Sequence, residues 1–411
     1  MPDYDAFLLL SFGGPEGPDD VLPFLENVTR GRGVPAERLV EVAAHYQARG
    51  GVSPISAQCR DMLGAIGAAL RAAGIGLPLY WGNRNWHPFI DDTVRQMKTD
   101  GVRRAIAFVT SAYSSYSACR QYLDDIDRAV ATVQAEGGPG APRIDKIRPY
   151  FNHPGFIEPF AAAVADALAG LPAAAQAGPR LVFTAHSVPV GMAAASGSPS
   201  AGTAAPGAPG GRYATELREA SRLIAERASS FLLPRPDGTA ERNRQEERAR
   251  SGGALPFDLV FQSRSGPPSV PWLEPDVNDH LTALAKGTLP DGTPLPEGAP
   301  TAVVAVPVGF VSDHMEVVHD LDVEAAQTAA SLGLPFARAK APGPTARFAA
   351  MAAELVAERV SGAPALALGD LGLGAFAGGA DGCPADCCRY TPARPAQSTR
   401  PAPGSMTGRQ A

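Results

Sequence analysis

Short apolar runs alternate with longer amphipathic stretches along most of the chain. The runs are typical of buried strands, and two of the plainest are DAFLLLSFGGP and RLVFTAHSVP. Strands that alternate with helices of ordinary length indicate parallel βαβ units. The pattern predicts helices over about 19–28, 36–49, 157–171, 214–231 and 345–360, one that starts near 91 and one that ends near 135.

The order of these elements predicts an α/β fold made of two similar, Rossmann-like halves, each a doubly wound parallel sheet, with a cleft between them. We expect an N-terminal domain over 1–150 and a C-terminal domain over 151–344. A closing helix over 345–361 and a Gly/Pro-rich tail over 362–411 would complete the chain.

Composition narrows the class of protein. The 411 residues carry a formal net charge of -6, which argues against a general nucleic-acid binder. No apolar run reaches the roughly 18 residues of a membrane span, and the start has no basic region of a signal peptide. Five cysteines do not form a secretory disulfide pattern, so we expect a cytoplasmic protein.

Three segments are irregular by composition. Residues 193–211 are rich in Gly, Ser, Pro and Ala and predict a mobile surface loop, and residues 235–253 are charged and predict a solvated insertion. The tail after Gly362 is too poor in apolar residues to build a core alone.

The apolar run before His186 delivers this imidazole and Ser187 to a strand end, where ligands of open α/β sheets bind. Histidine changes charge near neutral pH and is the commonest metal ligand, so His186 is a candidate proton acceptor or metal ligand. The alternative is a histidine that only hydrogen-bonds at the strand end. A serine hydrolase built on Ser187 is disfavoured, because the Gly-x-Ser-x-Gly turn is absent.

An acidic row follows the last strong strand, TAVVAVPVGFVSDH. Glu316, Asp320 and Glu324 recur every four residues, which places them along one face of a helix. Three carboxylates in file repel one another unless water or a metal ion compensates them. A solvated helix face is the ordinary alternative, but attachment to a polar strand end favours a hard divalent cation, and a nearby histidine favours a transition metal.

Two further strand ends combine aromatic and hydroxyl side chains, in YWGNRNWHP and SSYSACRQY. Such a mixture suits a flat ligand with an apolar face and anionic edges. Arg30 and Arg32 add guanidinium groups that match carboxylates, and Ser53 lies on a turn.

Cys383, Cys387 and Cys388 lie within six positions of the tail, in GCPADCCRY. A Gly/Pro-rich tail offers no core for them, so a thiolate metal centre, iron–sulfur or zinc, is favoured over free thiols. Cys119, at a strand-end loop, is better placed for a fourth ligand than Cys59, which belongs to a helix.

Together these residues resemble the ferrochelatase family across nearly the whole ordered chain. LLLSFGGP, GGVSPI, YWGNRNWHP, SSYSACRQY, FTAHSVP and VGFVSDHMEVVHDLD occur in the order of that family. The resemblance implies insertion of Fe²⁺ into a porphyrin held between two Rossmann-like domains. It implies that His186 and Glu316 are catalytic, and that His186, Glu316, Asp320 and Glu324 contact the metal, along a helix that in this family is often of π type.

The pattern is most similar to enzymes of high-GC Gram-positive bacteria, which convert coproporphyrin III to coprohaem in haem biosynthesis. That resemblance implies carboxylate contacts from Arg30, Tyr46, Ser53 and Tyr122. Phe12 and His45 stand where related enzymes carry Tyr and Arg. The resemblance also implies a [2Fe–2S] cluster on Cys119, Cys383, Cys387 and Cys388.

The expected partners are therefore a porphyrin and ferrous iron, with no nucleic acid and no membrane span. Because the product is poorly soluble, a transient partner of the haem pathway could receive it. Three alternatives remain: a protoporphyrin IX ferrochelatase, a chelatase for cobalt or nickel, and a tetrapyrrole or metal carrier. A carrier has no need of carboxylates that lead away from its ligand, which favours an enzyme.

Overall fold

A computed structural model describes residues 4–31, 34–138, 140–200, 202, 208–231, 254–266, 269–373 and 383–391. Within these ranges the strands form two four-stranded sheets. The first sheet contains β1 Ala6–Ser11, β2 Leu79–Asn83, β3 Arg104–Val109 and β4 Arg143–Lys146. The second contains β5 Pro179–His186, β6 Phe257–Gln262, β7 Ala302–Val306 and β8 Phe336–Arg338.

Both sheets are parallel and have the same strand order, β2-β1-β3-β4 and β6-β5-β7-β8. The predicted α/β class with two similar halves is therefore confirmed. The last strand was not foreseen, because three residues are too few to produce an apolar run.

Helices connect the strands, as parallel pairing requires. The described helices are α1 Val21–Val28, α2 Ala36–Gln47, α3 Ile55–Ala72, α4 Ile90–Thr99, α5 Gln121–Ala135, α6 Pro154–Ala169, α7 Val190–Ala194, α8 Gly211–Phe231, α9 Val277–Leu284, α10 Met315–His319, α11 Ala326–Ser331 and α12 Ala346–Ser361. Short 3₁₀ turns cover Pro18–Asp20 and Ala173–Ala177, and π-helical turns cover Tyr116–Arg120 and Asp320–Ala325. No described helix is both long and apolar enough to cross a membrane.

One apolar cluster draws residues from both sheets. Phe348 on α12 lies edge-on to Phe108 of β3, with ring centroids 5.8 Å apart, and to Tyr150, at 6.1 Å. The Tyr113 hydroxyl donates to the backbone oxygen of Val308, 2.8 Å away, across the two halves. All four aromatic side chains are buried, so the two halves share one apolar core.

A polar joint between the two halves centres on Glu216 of α8, which is fully buried. Its carboxylate accepts from the backbone N–H of Ser114 at 2.7 Å and from the Ser114 hydroxyl at 2.8 Å. Arg212, one turn earlier, lies 2.7 Å from the same carboxylate and balances its charge. A buried carboxylate is tolerated only when it is paired and hydrogen-bonded, and here those bonds fix the loop after β3 to α8.

The first part of the tail is tied to the folded body. Asn152 donates to the backbone oxygens of Leu368 and Gly372, both at 3.1 Å, and accepts from the Leu368 N–H at 2.9 Å. Arg148 pairs with Glu358 at 2.8 Å and donates to the backbone oxygen of Leu366. These contacts direct the chain toward the segment that carries the tail cysteines.

The loop after α7 is predicted from its composition to be a surface loop, but residues 196–198 are buried. Ser196 accepts from the Tyr213 N–H at 2.8 Å, and Ser198 donates to Asp386 at 2.6 Å. The predicted solvated insertion over 235–253 lies outside the described residues.

Glu216→Ala should lower the free energy of unfolding by about 3–5 kcal/mol, because it leaves Arg212 and Ser114 without their buried partner. The matched control is Glu226→Ala on the same helix. Glu226 is paired with Arg222 at the same four-residue spacing, but its side chain is 47% exposed, so the expected loss is at most about 1 kcal/mol. Urea denaturation of both variants measures the difference, and equal losses would contradict the role of Glu216 as a joint.

His153 should make stability pH-dependent. Its Nδ1 accepts from the Gly155 N–H at 3.0 Å, and burial, with Arg148 and Arg347 nearby, lowers its pKa to about 3. The unfolded chain therefore takes up a proton below pH 6.5 that the folded protein refuses, and this contribution to stability is lost as the pH falls toward 3.

The variant His153→Asn keeps an acceptor at the helix start but does not titrate. Relative to this variant, the wild type should lose up to about 1.4 kcal/mol for each pH unit below 6.5. Urea denaturation at pH 7, 6, 5 and 4 measures the difference. Parallel pH profiles for the two proteins would refute the assignment.

Candidate active site

The carboxyl end of β5 and the segment after β7 bring three functional side chains together. His186 Nε2 lies 3.7 Å from Glu316 Oε1, and His314 Nδ1 lies 3.6 Å from Glu316 Oε2. The side chains of His186 and Glu316 are 31% and 42% exposed, so both are open to solvent. Glu316 therefore lies between two imidazoles at an accessible strand end.

Backbone contacts set the orientation of His186. Its Nδ1 lies 2.5 Å from the backbone oxygen of Ser187, and because a carbonyl only accepts, Nδ1 carries the hydrogen. The Tyr213 hydroxyl donates to the His186 carbonyl at 3.1 Å. In the neutral ring the Nε2 lone pair is then directed toward Glu316, where it can take up a proton.

The acidic row continues from Glu316 into the π-helical turn Asp320–Ala325. Asp320 accepts from the Ser263 hydroxyl, and from Gln262 Nε2 at 3.4 Å. Burial raises the pKa of Asp320 to about 7, against the effect of the Ser263 hydrogen bond, and the Glu316 and Glu324 carboxylates add to the rise. Asp320 can therefore hold or release a proton near neutral pH.

Glu324 ends the row at the surface. Its side chain is 50% exposed and lies 3.3 Å from His319 Nε2. The His319 ring stacks on His45 of α2, with centroids 3.9 Å apart. No three His, Cys, Asp or Glu side chains converge on one point as a ready metal cage in the described ranges. The row offers a series of single oxygen ligands instead.

An aromatic group covers the first-sheet side. Phe24 of α1 lies 6.4 Å from Phe12, 6.1 Å from Tyr46 and 6.0 Å from Trp86, measured between ring centroids. Met315, which precedes Glu316, packs into the same cluster. An apolar wall therefore borders the acidic row, as a flat amphipathic ligand requires.

The four residues expected to contact substrate carboxylates are placed differently from one another. Arg30 follows α1 and is exposed. Ser53 is buried, and its backbone N–H donates to the Pro15 carbonyl. Tyr46 is buried in the aromatic cluster near Glu316 and Asp320, whose charges, after burial itself, raise its pKa. Tyr122 is 4% exposed and packs in the core of the first sheet beneath the Arg84 guanidinium, 4.6 Å away.

The thiols predicted to act together are neighbours. Cys387 Sγ lies 3.6 Å from Cys388 Sγ, and hydrogen bonds from the Cys119 and Cys387 thiols hold the pKa of Cys383 well below its ordinary value. The Gly197 N–H donates to Cys388 Sγ at 3.3 Å. Cys59 is buried separately in α3. The donor chemistry and adjacency fit a thiolate-held group, although these thiols do not converge on one point in the described structure.

Sequence patterns did not reveal what holds the cysteine segment in place. Asp386 accepts from the Ser198 hydroxyl at 2.6 Å and from the Ser200 N–H and hydroxyl, both at 2.9 Å. Arg120 donates to the backbone oxygen of Ala385 at 3.4 Å. The segment therefore bridges the loop after α7 and the π-helical turn that contains Cys119. These contacts join residues far apart in the chain, and no local signal marks them.

Comparisons with known proteins show what this chain is similar to. The family model described as Ferrochelatase matches residues 4–360. A coproporphyrin III ferrochelatase from Streptomyces griseus subsp. griseus is 47% identical over 399 residues, which cover 97% of this chain and 95% of that protein. One from Nocardia farcinica is 49% identical over 385 residues, covering 93% and 96%. Among solved structures, SirB from Bacillus subtilis with Fe3+ aligns with a TM-score of 0.42 and 12% identity, covering 87% of this chain and 95% of that one.

The family match extends over both sheets, and it includes His186, Glu316, Asp320 and Glu324. The chain belongs to the ferrochelatase family.

Proposed function

We propose that this enzyme inserts Fe²⁺ into coproporphyrin III and so forms coprohaem. The observation that carries the proposal is the position of Glu316 between two imidazoles, at the start of an acidic row. The Streptomyces and Nocardia relatives are named for this substrate, which supports the choice of porphyrin.

The reaction replaces two pyrrole protons by one metal ion, so two protons leave for each Fe²⁺ that enters. His186 Nε2 would accept a pyrrole proton, and Glu316, 3.7 Å away, would receive it in turn. Asp320 holds or releases a proton near pH 7 and would pass charge along the row. Binding a buckled porphyrin better than a flat one would lower the barrier, because buckling directs the nitrogen lone pairs toward the ion.

Iron would approach along the row in the opposite direction. Glu324 lies at the exposed end of the row, Asp320 lies in its middle, and Glu316 faces His186. Carboxylate oxygens and one imidazole suit Fe²⁺. The ion would exchange its water for these side chains step by step as it moves along the row toward Glu316.

Arg30, Tyr46, Ser53 and Tyr122 remain proposed contacts for the carboxylates of the porphyrin. Arg30 is the most accessible of them. Tyr122 would need Arg84 to move before it could reach a ligand, because Arg84 covers its ring.

An anaerobic assay tests the proposal. Purified protein receives Fe²⁺ with coproporphyrin III or protoporphyrin IX, and loss of free-base absorbance is followed. Turnover with coproporphyrin III alone is expected, and His186→Ala should lower it by at least about 100-fold, the usual contribution of a general base.

A matched control is His280→Ala, since His280 is a buried histidine bonded to Asp258 in the same half. Preference for protoporphyrin IX would contradict the proposal that coproporphyrin III is the substrate. Tight porphyrin binding without turnover would favour a carrier, and full activity in His186→Ala would refute the role of that imidazole.

We further propose that Cys119, Cys383, Cys387 and Cys388 hold a [2Fe–2S] cluster. The support is that the Cys383 thiol is hydrogen-bonded with Cys119 and Cys387, and that Cys387 Sγ lies 3.6 Å from Cys388 Sγ. Such a cluster supplies one-electron chemistry when bound, but metal insertion transfers no net electron, so its role would be structural or sensory. The five free thiols suit a reducing compartment, and we place the reaction in the cytoplasm.

Cys388→Ser should remove the visible absorption of the cluster and lower the midpoint of thermal unfolding by several degrees, because the bridging segment loses its anchor. Cys59→Ser, at a buried cysteine apart from the group, should keep the absorption. Iron and sulfide analysis of protein purified without oxygen provides the second measurement. Absence of both elements would refute the cluster, and an unchanged midpoint would refute the structural role.

A further inference from the structure

Arg338 ends β8, the short edge strand of the second sheet. Its guanidinium binds two carboxylates at once. Nε and Nη2 donate to Asp322 at 2.5 and 3.0 Å, and Nη1 and Nη2 donate to Asp313 at 3.0 and 3.3 Å. We infer that Arg338 is a positioning residue for the metal-transfer row, an inference that rests on the proposed function.

The charge of the segment explains why such a residue is needed. Five carboxylates lie between Asp313 and Glu324, with no Lys or Arg among them. Arg338 pairs with Asp313 and Asp322 and offsets part of their charge, and it leaves Glu316, Asp320 and Glu324 to face the cation. The row is therefore divided into anchored carboxylates, which fix the backbone, and carboxylates that remain available for iron.

Asp313 and Asp322, the two carboxylates that Arg338 binds, lie close in sequence to the proposed metal ligands. Asp313 precedes α10, which carries Glu316, and its backbone N–H is held by Gln58 at 2.8 Å. Asp322 lies inside the π-helical turn, two residues from Asp320 and two from Glu324. Because one planar guanidinium holds both sites, it fixes α10 relative to the turn and so sets the spacing between successive ligands.

The strand supplies a rigid base for this group. Arg338 is paired in register with Ala305 of β7, and the Ala339 N–H donates to the Ala305 carbonyl at 2.9 Å. The side chains of Arg338 and Asp313 are 14% and 18% exposed, so their ion pair is largely shielded from solvent, whereas the Asp322 side chain is 34% exposed. Partners that orient metal ligands typically change metal affinity by about 10–100-fold when removed.

The test compares Arg338→Gln with Arg180→Gln. Arg180 lies in the same sheet, is 12% exposed and makes a bidentate pair with Asp258 at 2.6 and 2.9 Å. Arg180 is near the start of β5, whereas His186 is its last residue, so Arg180 is remote from the row. Both variants should lose thermal stability.

Only Arg338→Gln should raise the KM for Fe²⁺, by about 10–100-fold, while the KM for porphyrin changes by less than about twofold. Arg338→Lys, which keeps the charge but not the fork, should fall between the wild type and Arg338→Gln, and it serves as the test variant if Arg338→Gln does not fold. An unchanged KM for Fe²⁺ in both Arg338 variants would overturn the inference.

Titration calorimetry with Co²⁺ alone separates this inference from the proposed function, because it needs no turnover. The wild type should bind Co²⁺ at least tenfold more tightly than Arg338→Gln, and as tightly as Arg180→Gln. Equal affinities in all three proteins, or no binding by the wild type, would overturn the positioning role. An inactive wild type with the expected order of affinities would refute the insertion activity and leave the positioning role supported.

Discussion

Mutual repulsion among the carboxylates from Asp313 to Glu324 is the constraint around which the second half is arranged. A helix can hold such a row only where charge is compensated or water has access. Both solutions are present: Arg338 pairs with two of the groups and offsets part of their charge, and the exposed side chains of Glu316 and Glu324 reach solvent. Asp320 has no cationic partner among the described residues and is largely buried, so its pKa is raised and it keeps a proton to a higher pH. Its carboxylate accepts a hydrogen bond from Ser263.

The contacts between the two halves also reach the backbone near functional groups, through two residues of α8. Tyr213 and Glu216 lie one turn apart on α8. Tyr213 reaches the carbonyl of His186, and Glu216 holds Ser114, five residues before Cys119. The start of one helix therefore supports the pocket imidazole and the thiol-bearing turn together.

Much of this arrangement could be predicted from the sequence. Parallel strands end at one edge of a sheet, so His186 and the segment after β7 had to lie near each other. What could not be predicted depends on contacts between distant residues. Arg338 escaped notice because its strand has three residues, and Asp386 because its partners lie almost 190 positions earlier. Tyr122 was expected at a strand end, as a contact for substrate carboxylates, but the helix α5 begins at Gln121 and the Tyr122 ring is buried in the core.

The shared strand order has a consequence for how the two halves came to differ. Ser11 pairs with Asn83 at the end of β1, and His186 pairs with Gln262 at the end of β5; both amides are buried. The Asn83 N–H donates to the Pro88 carbonyl, and the Phe261 N–H donates to the Pro275 carbonyl. Phe261 therefore stands in β6 where β2 has Asn83, which makes Ser11 equivalent to Ala185 and Phe12 equivalent to His186. The halves repeat one plan, in the manner of a duplicated unit. At equivalent positions the first half presents the apolar Phe12 ring and the second the His186 imidazole, so the same plan gives one half a packing group and the other a group that can take up a proton.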